Sequence, residues 1–316
     1  MTQTPELAEP AGSDWPAVSV VVPTVDRPEW MKRAVEAIIG QDYPGTVECI
    51  VVFDGTEPRL PEVELPEGRT LRAAVNTRTR GLAGNRNSGY LVATGELVCA
   101  CDDDDEWMQG KLTAQVRLMQ ASPSASACVT GIVIAHEGRE LERRAPAHPL
   151  ELSDMLRDRH IEIHPSAFMV SREHLLSDIG LVDEEIPGGY GEDYEWLLRA
   201  ARVGPIVSVP EPYVRVYWHD SSFFVSKWDT IEKALTYLLE RFPEFETEPA
   251  GLARVEGQLA FASAAMGQRR KAVSTAVRSL RRSRTPKQSY AALLVASRLV
   301  SADRVVTTAR RFGHGI

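Results

Sequence analysis

The sequence predicts an α/β fold, a Rossmann-like, mostly parallel sheet with helices on both faces, followed by an α-helical C-terminal extension. Three observations predict it. Apolar, β-branched runs recur through the first hundred positions without polar alternation, as in strands buried on both faces. Stretches of helical period separate most of these runs, which favours parallel crossover connections. Beyond Lys227 every segment has helical period, with Pro243, Pro249 and Pro286 as punctuation.

Taken in order, VSVVVPT (18–24) reads as a buried strand. RPEWMKRAVEAIIGQ follows as a helix, with Pro28 near its start and Trp30, Ala34, Ile38 and Ile39 at helical spacing. VECIVVFD (47–54) and TLRAAVN (70–76) read as strands around a Pro- and Glu-rich loop. GLAGNRNSGYLVAT (81–94) is predicted as a helix opened by glycines, ELVCACD (96–102) as a buried strand, and WMQGKLTAQVRLMQA as a helix. The pattern then loosens. ACVTGIVIA, SAFMVS and YVRVYWH (213–219) are predicted strands; ELSDMLRD and GEDYEWLLRAARVG (191–204) are predicted helices. HIEIH (160–164) alternates as a strand.

This gives a disordered leader at 1–16, a catalytic domain at 17–226 and a helical region at 227–316. The 316 residues, 43% hydrophobic and 25% charged, are those of an ordinary soluble globular protein. No apolar run approaches the roughly 18 residues a membrane span needs, and the N-terminus lacks a signal peptide's basic start and apolar stretch. A cytoplasmic location is expected. Cys49, Cys99, Cys101 and Cys128 fall in strand-like runs and form no C-x-x-C pair, so they read as core residues rather than zinc ligands.

Chemistry concentrates where predicted strands end, the place where open parallel sheets bind ligands. Pro23-Thr24, Asp54-Gly55 and the run Asp102-Asp103-Asp104-Asp105 all fall there. Four contiguous aspartates raise one another's pKa values or recruit a cation. Oxygen-only ligands suit Mg²⁺ or Mn²⁺, which bridge carboxylates to phosphates. No P-loop and no strand-linked G-x-G-x-x-G is present, so phosphate falls to metal and basic side chains, for which Arg80 and Arg86 are placed.

These residues resemble, in order over roughly 17–225, the family 2 glycosyltransferases of the GT-A fold. VSVVVPTVDRPEWMKRAVEAIIGQDYP is similar to that family's opening strand and helix, whose first loop, here Pro23, Thr24 and Asp26, touches the nucleotide base. IVVFDGT resembles its second strand, where Asp54 matches the base-reading aspartate, although Phe53 stands where a second aspartate is common. GLAGNRNSGYLVATGELVCACDDDDEW resembles the segment leading to the D-x-D motif. The resemblance makes Arg86 and Asp103 nucleotide-side residues and gives the metal to Asp102 and Asp104. GYGEDYEWLLRAAR resembles the helix start that supplies the catalytic base, which maps to Asp193 with Glu192 beside it. YVRVYWHDSS resembles the closing strand that gives the metal a histidine, His219.

The resemblance implies a metal-dependent, inverting hexosyltransferase, using Mn²⁺ or Mg²⁺ and a nucleoside-diphosphate sugar, foremost a UDP-sugar. The acceptor is a saccharide, a lipid-linked carrier or a small molecule. The reaction asks for the same groups: a cation for the leaving diphosphate, a base for the acceptor hydroxyl and a pocket that excludes water. Asp193 at a helix start is stabilised as its ionised form by the dipole, and the plain alternative is a favourable first-turn acid. Trp107, His164 and Tyr190 are candidates for the acceptor or sugar pocket, while Trp196 reads as core. A nucleotidyltransferase and a non-catalytic nucleotide-sugar-binding module are the alternatives.

The last forty-odd residues differ in charge. Arg269–Arg311 carries twelve Lys and Arg against Asp303 alone, a balance of +11 that leaves −19 for the rest of a chain of net charge −8. Basic amphipathic helices suit three roles: docking on acidic protein, a homodimer, or peripheral contact with the inner membrane face. Nucleic acid is not expected, because the basic residues lack interleaved aromatics.

Overall fold

The computed structural model describes residues 15–218 and 227–311. They divide into two compact units. The first holds the described residues up to Leu152, His160–Glu184 and those from Trp196 to 218; the second holds Ser153–Arg159, Glu185–Glu195 and those from 227 on.

The chain runs β1 (Val18–Thr24), α1 (Pro28–Ile39), β2 (Val47–Phe53), β3 (Arg69–Val75), α2 (Leu82–Val92), β4 (Leu97–Ala100), β5 (Glu106–Trp107) and α3 (Lys111–Ala121). It continues through β6 (Ala127–His136), β7 (Arg139–Arg143), α4 (Leu152–Arg157), β8 (Met169–Ser171), α5 (Arg172–Leu176), α6 (Glu192–Val203) and β9 (Ile206–Tyr217). The nine strands form one sheet in the order β3-β2-β1-β4-β8-β6-β9-β5, with β7 paired to β6. Strands β3, β2, β1 and β4 are parallel throughout, and β6 is parallel to β9. All seven residues of β1 are buried, which is why its sequence shows no alternation.

β8, β7 and β5 run antiparallel to their neighbours. None of these pairings needs a helical crossover. β6 and β7 are joined at Glu137-Gly138, both with positive φ (47° and 73°), the backbone of a tight hairpin turn. HIEIH is not a strand. Its chain turns, with the Ile163 N–H donating to the His160 carbonyl (2.8 Å) and His160 at φ 51°, and a 3₁₀ turn at Pro165–Ala167 follows. The core of this unit takes Met31, Ala34, Val35, Ile38 and Ile39 from α1 against β1 and β2, and all four cysteines are buried. α2 packs closely on the opposite face, where a Cβ at Gly89 would overlap Val21 and come within 2.8 Å of Val52.

The second unit contains α4, the first turn of α6, α7 (Trp228–Arg241), α8 (Pro249–Ala265), α9 (Arg269–Arg282), α10 (Lys287–Ala296) and α11 (Ala302–Arg311). Ala260, Phe261 and Ala264 of α8, Ala272 and Ala276 of α9, and Ala292 and Ala296 of α10 form its core, with Val305 and Val306 of α11 packed against it. Small side chains let these helices approach: Ser279 Oγ reaches the Ala253 carbonyl (2.7 Å) and Ser289 Oγ (2.7 Å). Part of the basic tail is neutralised inside this unit. Arg278 pairs with Glu256 (2.6 Å), Arg282 with Glu256 and Glu246 (3.4 Å each), and Lys271 with Glu232 (2.9 Å). Among the described residues no helix is long and apolar enough to cross a membrane.

Candidate active site

β1 has β2 on one side and β4 on the other, so strand order reverses there. A crevice opens at the carboxyl ends of strands around such a reversal. Thr24 closes β1, Asp54 follows β2, and the aspartate run follows β4 after Cys101. The run folds into a turn, the Asp105 N–H donating to the Asp102 carbonyl (3.1 Å), which sends the four carboxylates to different partners.

Asp102 meets Arg86 of α2 at 2.6 Å, and its N–H donates to Ser166 Oγ (3.0 Å). Asp103 is fully buried; it accepts from Thr24 Oγ1 (2.6 Å) and lies 2.6 Å from Arg27. Asp104 takes the other arm of Arg27 at 2.5 Å, while Arg33 donates to its carbonyl (3.2 Å). Asp105 accepts from Ser166 Oγ and lies 3.2 Å from His164 Nδ1. The 3₁₀ turn after His164 brings that imidazole and Ser166 to the aspartates, and Trp107 Nε1 fastens the turn by donating to the Ser166 carbonyl (2.9 Å).

Burial opposes charge on Asp102, Asp103 and Asp105, and the neighbours decide the outcome. Arg86, with His164 and Arg27, overcomes desolvation at Asp102 and holds its pKa below the ordinary value. Desolvation prevails at Asp103, pushed up to about 6, and at Asp105, which is also raised. Ligand atoms of Asp102, Asp105 and His164 all lie within 4.8 Å of one another. Two carboxylates and an imidazole at that separation could hold a divalent cation, the carboxylate oxygens suiting Mn²⁺ or Mg²⁺. Asp104 is outside this group, turned to Arg27, and His219 lies outside the described residues.

Asp54 is committed to the loop between β3 and α2. Its carboxylate accepts from Asn76 Nδ2 (2.9 Å) and from the Gly81 N–H (2.7 Å). Gly55, at φ 75°, takes a left-handed backbone that favours glycine, and the Arg80 guanidinium lies against it. The same loop is held by Glu184, which accepts from Arg78, from the Thr79 hydroxyl and N–H, and from Asn87 (2.7 Å). Those bonds outweigh desolvation and bring Glu184 down to about 2. Sequence reasoning missed Glu184, because DEE at 183–185 reads as a solvated acidic loop. It also missed Arg27, whose only signal is its place next to a loop expected to touch nucleotide.

Pro23 is buried in β1, and Asp26 is exposed with φ at 53°. Trp107 does not offer a face to a sugar. It is 3% exposed, with Lys111 Nζ 3.8 Å from its ring centroid and its N–H used on Ser166. Trp196 is buried, stacked on Phe168 at 5.6 Å. In the second unit, Glu192 and Asp193 begin α6, and Arg159 donates to both Asp193 oxygens (3.2 and 3.4 Å). Asp193 is the chief cause of the raised Arg159 pKa. Tyr190 and Arg159 line a small cavity with Tyr194, Leu238 and Arg254.

The sequence model described as Glycosyl transferase family 2 matches residues 19–180, just over half of the chain. The chain belongs to glycosyl transferase family 2. Among curated proteins, this family 2 chain is similar to the "GalNAc(5)-diNAcBac-PP-undecaprenol beta-1,3-glucosyltransferase" of Campylobacter jejuni, 30% identical over 140 residues, covering 43% of the chain and 44% of the relative. It is also similar to Escherichia coli WfgD, named as a "UDP-Glc:alpha-D-GlcNAc-diphosphoundecaprenol beta-1,3-glucosyltransferase", at 26% over 104 residues, 32% of the chain and 40% of the relative. The chain spans about half the length of the curated relatives it matches first. Of solved structures, S. aureus TarS 1-349 in complex with UDP-GlcNAc superposes with a TM-score of 0.60 at 16% identity, over 94% of this chain and 92% of that one. The Pyrobaculum calidifontis mannosyltransferase PcManGT with GDP-Man and Mn²⁺ gives 0.56 at 18% identity, over 95% and 81%. These likenesses show the fold, a GT-A-type sheet with flanking helices and further C-terminal helices.

Proposed function

We propose that this family 2 protein transfers a sugar from a nucleoside-diphosphate donor, a UDP-sugar first among them, to a saccharide hydroxyl by single displacement with inversion. The observation that carries the reading is the side-chain cluster at the carboxyl ends of β1 and β4, where Arg86 meets Asp102 and the Asp105–His164 pair lies within ligand reach. The donor class draws on TarS with UDP-GlcNAc and on the name of WfgD. A lipid-diphosphate-linked acceptor is supported by the names of the two curated relatives.

Asp102, Asp105 and His164 would hold the metal, which supplies Lewis-acid neutralisation of the departing diphosphate when bound. Asp104 joins that set only by leaving Arg27, and His219 is the remaining candidate ligand. Pro23, Thr24, Asp26, Asp54 and Asp103 shape the nucleotide side, with Asp54 and Glu184 fixing the loop that carries Arg80. Arg86 holds Asp102 ionised. Asp193 takes the acceptor proton; Arg159, which donates to both of its oxygens, orients that carboxylate, and Glu192 stands beside it. His164, which the sequence places at the acceptor pocket, would instead serve as a metal ligand with Asp102 and Asp105, and Tyr190 remains the acceptor-side candidate.

Calorimetric titration with UDP, dTDP, GDP and CDP, each with Mn²⁺, Mg²⁺ or EDTA, tests the reading. Metal-dependent binding of one nucleotide, lost in Asp102→Ala, is the expected result. A folded protein that binds none of them would falsify it.

A further inference from the structure

We propose that the outer face of the α9–α10 hairpin is a docking surface for an anionic lipid bilayer. It rests on the sugar-transfer reading for its purpose and on these helices alone for its geometry. α9 turns Ala272, Thr275, Ala276 and Ser279 inward, and Arg270, Val273, Val277 and Arg281 stand on the other side, Val273 and Val277 being exposed. α10 likewise buries Ser289, Ala292 and Ala296 and exposes Lys287, Tyr290 and Leu294. Apolar residues thus remain in water between cations, the composition of an interfacial rather than a spanning helix.

The charge on this face is not spent inside the fold. Arg278, Arg282 and Lys271 have carboxylate partners, but Arg270, Arg281, Arg284 and Lys287 have none within ion-pair distance among the described residues. The first turn of α9 is Arg269-Arg270-Lys271, with no acid and no side-chain cap. Lys271 is answered by Glu232 and Arg269 donates to the Ala296 carbonyl, which leaves Arg270, among the described residues, as the cation at the positive end of the helix dipole with no partner of its own, a place that favours an anion. An open groove lies there, lined by Arg269, Arg270, Val273, Leu293 and Ser297. A second copy does not suit the face, because a two-fold contact would set these cations against themselves. Anionic headgroups over an apolar layer match both of its features.

Each surface cation contributes about fivefold to partition onto an anionic membrane. The test is sedimentation of the full chain with phosphatidylcholine vesicles, with and without about one-third phosphatidylglycerol, at low and raised salt. Binding confined to the anionic vesicles and weakened by salt is expected. Arg281→Glu with Lys287→Glu lowers it on the order of a hundredfold or more, each reversal removing a favourable charge and adding a repulsive one. Val277→Ser with Leu294→Ser lowers it on the order of tenfold, as apolar burial is lost. Nucleotide binding by the variants stays at the native level and reports that they are folded. Equal sedimentation with neutral vesicles, none with either, or a dimer in ultracentrifugation that Val277→Ser dissociates would each overturn the proposal. Vesicle binding by a chain that binds no nucleotide would leave the surface standing and remove the transfer reading.

Discussion

Arg86 and Asp102 meet at 2.6 Å with the arginine side chain only 3% exposed, so the charge that heads the aspartate run is balanced from inside the fold. Removing one partner of such a pair strands the other. Arg86→Met is expected to cost about 3 kcal/mol in denaturant unfolding. Arg86→Lys keeps the charge, loses the planar fork and falls between the two. Nucleotide titration of both variants separates the loss of binding from the loss of stability.

Asp193→Asn removes the proposed proton acceptor and little volume. Transfer should fall by about 10²–10⁴, the usual worth of a positioned base, while nucleotide affinity is unchanged. Unchanged transfer, measured by nucleotide release against acceptor consumption, would remove Asp193 from its role.

Mn²⁺ binding, followed by electron paramagnetic resonance, should weaken by roughly tenfold or more in Asp105→Asn and in His164→Ala, whose ligand atoms converge with those of Asp102. Asp104→Asn should change it less, because that carboxylate is engaged by Arg27. The opposite ranking would move the metal to Asp104.

Glu184 gives a pH signature. Its folded pKa, about 2, lies below the ordinary glutamate value, so it stabilises the fold above the unfolded pKa. That contribution fades as pH falls from about 5 toward 2, as the carboxylate protonates. Glu184→Gln should lose on the order of 2 kcal/mol at neutral pH and show a flatter stability profile over that window. A parallel pair of profiles would mean that Glu184 does not hold the loop.

Gly89 tests the packing of α2 on the sheet. A methyl group there enters space held by Val21 and Val52, so Gly89→Ala should destabilise by about 1–3 kcal/mol despite alanine's better helix propensity. Chemical unfolding decides it.

The elements of the first hundred residues were legible because both burial and period were unambiguous. VSVVVPT is β1 to the residue, and α2 lies within the predicted helix. Apolar periodicity runs through Trp107 and predicts a helix there, yet Gly110 at φ 85° interrupts the chain and α3 starts at Lys111. β7, RELER, was invisible: it is an exposed, highly charged hairpin arm with no core face to set a period. HIEIH misled because alternation alone does not distinguish a strand from a turn whose two histidines part, one toward Glu162 and the other toward Asp105. At the site, the sequence located the aspartates together with Thr24, Arg86 and His164, but not which of them pair, nor the other groups that hold the site. Arg27, Ser166 and Glu184 are 61 to 106 residues from the groups they hold, and no local spacing encodes such pairings.

The four buried cysteines sit on β2, β4, the residue after β4 and β6, and desolvation pushes Cys49 and Cys128 up to about 12 and Cys99 up to about 11. Almost no thiolate exists at neutral pH, and reagents reach the sulfur only when the strands separate. The protein therefore carries its own clock. The rate at which a thiol reagent modifies the native chain measures how often the centre of the sheet opens, and mass-resolved peptides from three different strands tell whether it opens as one piece or strand by strand.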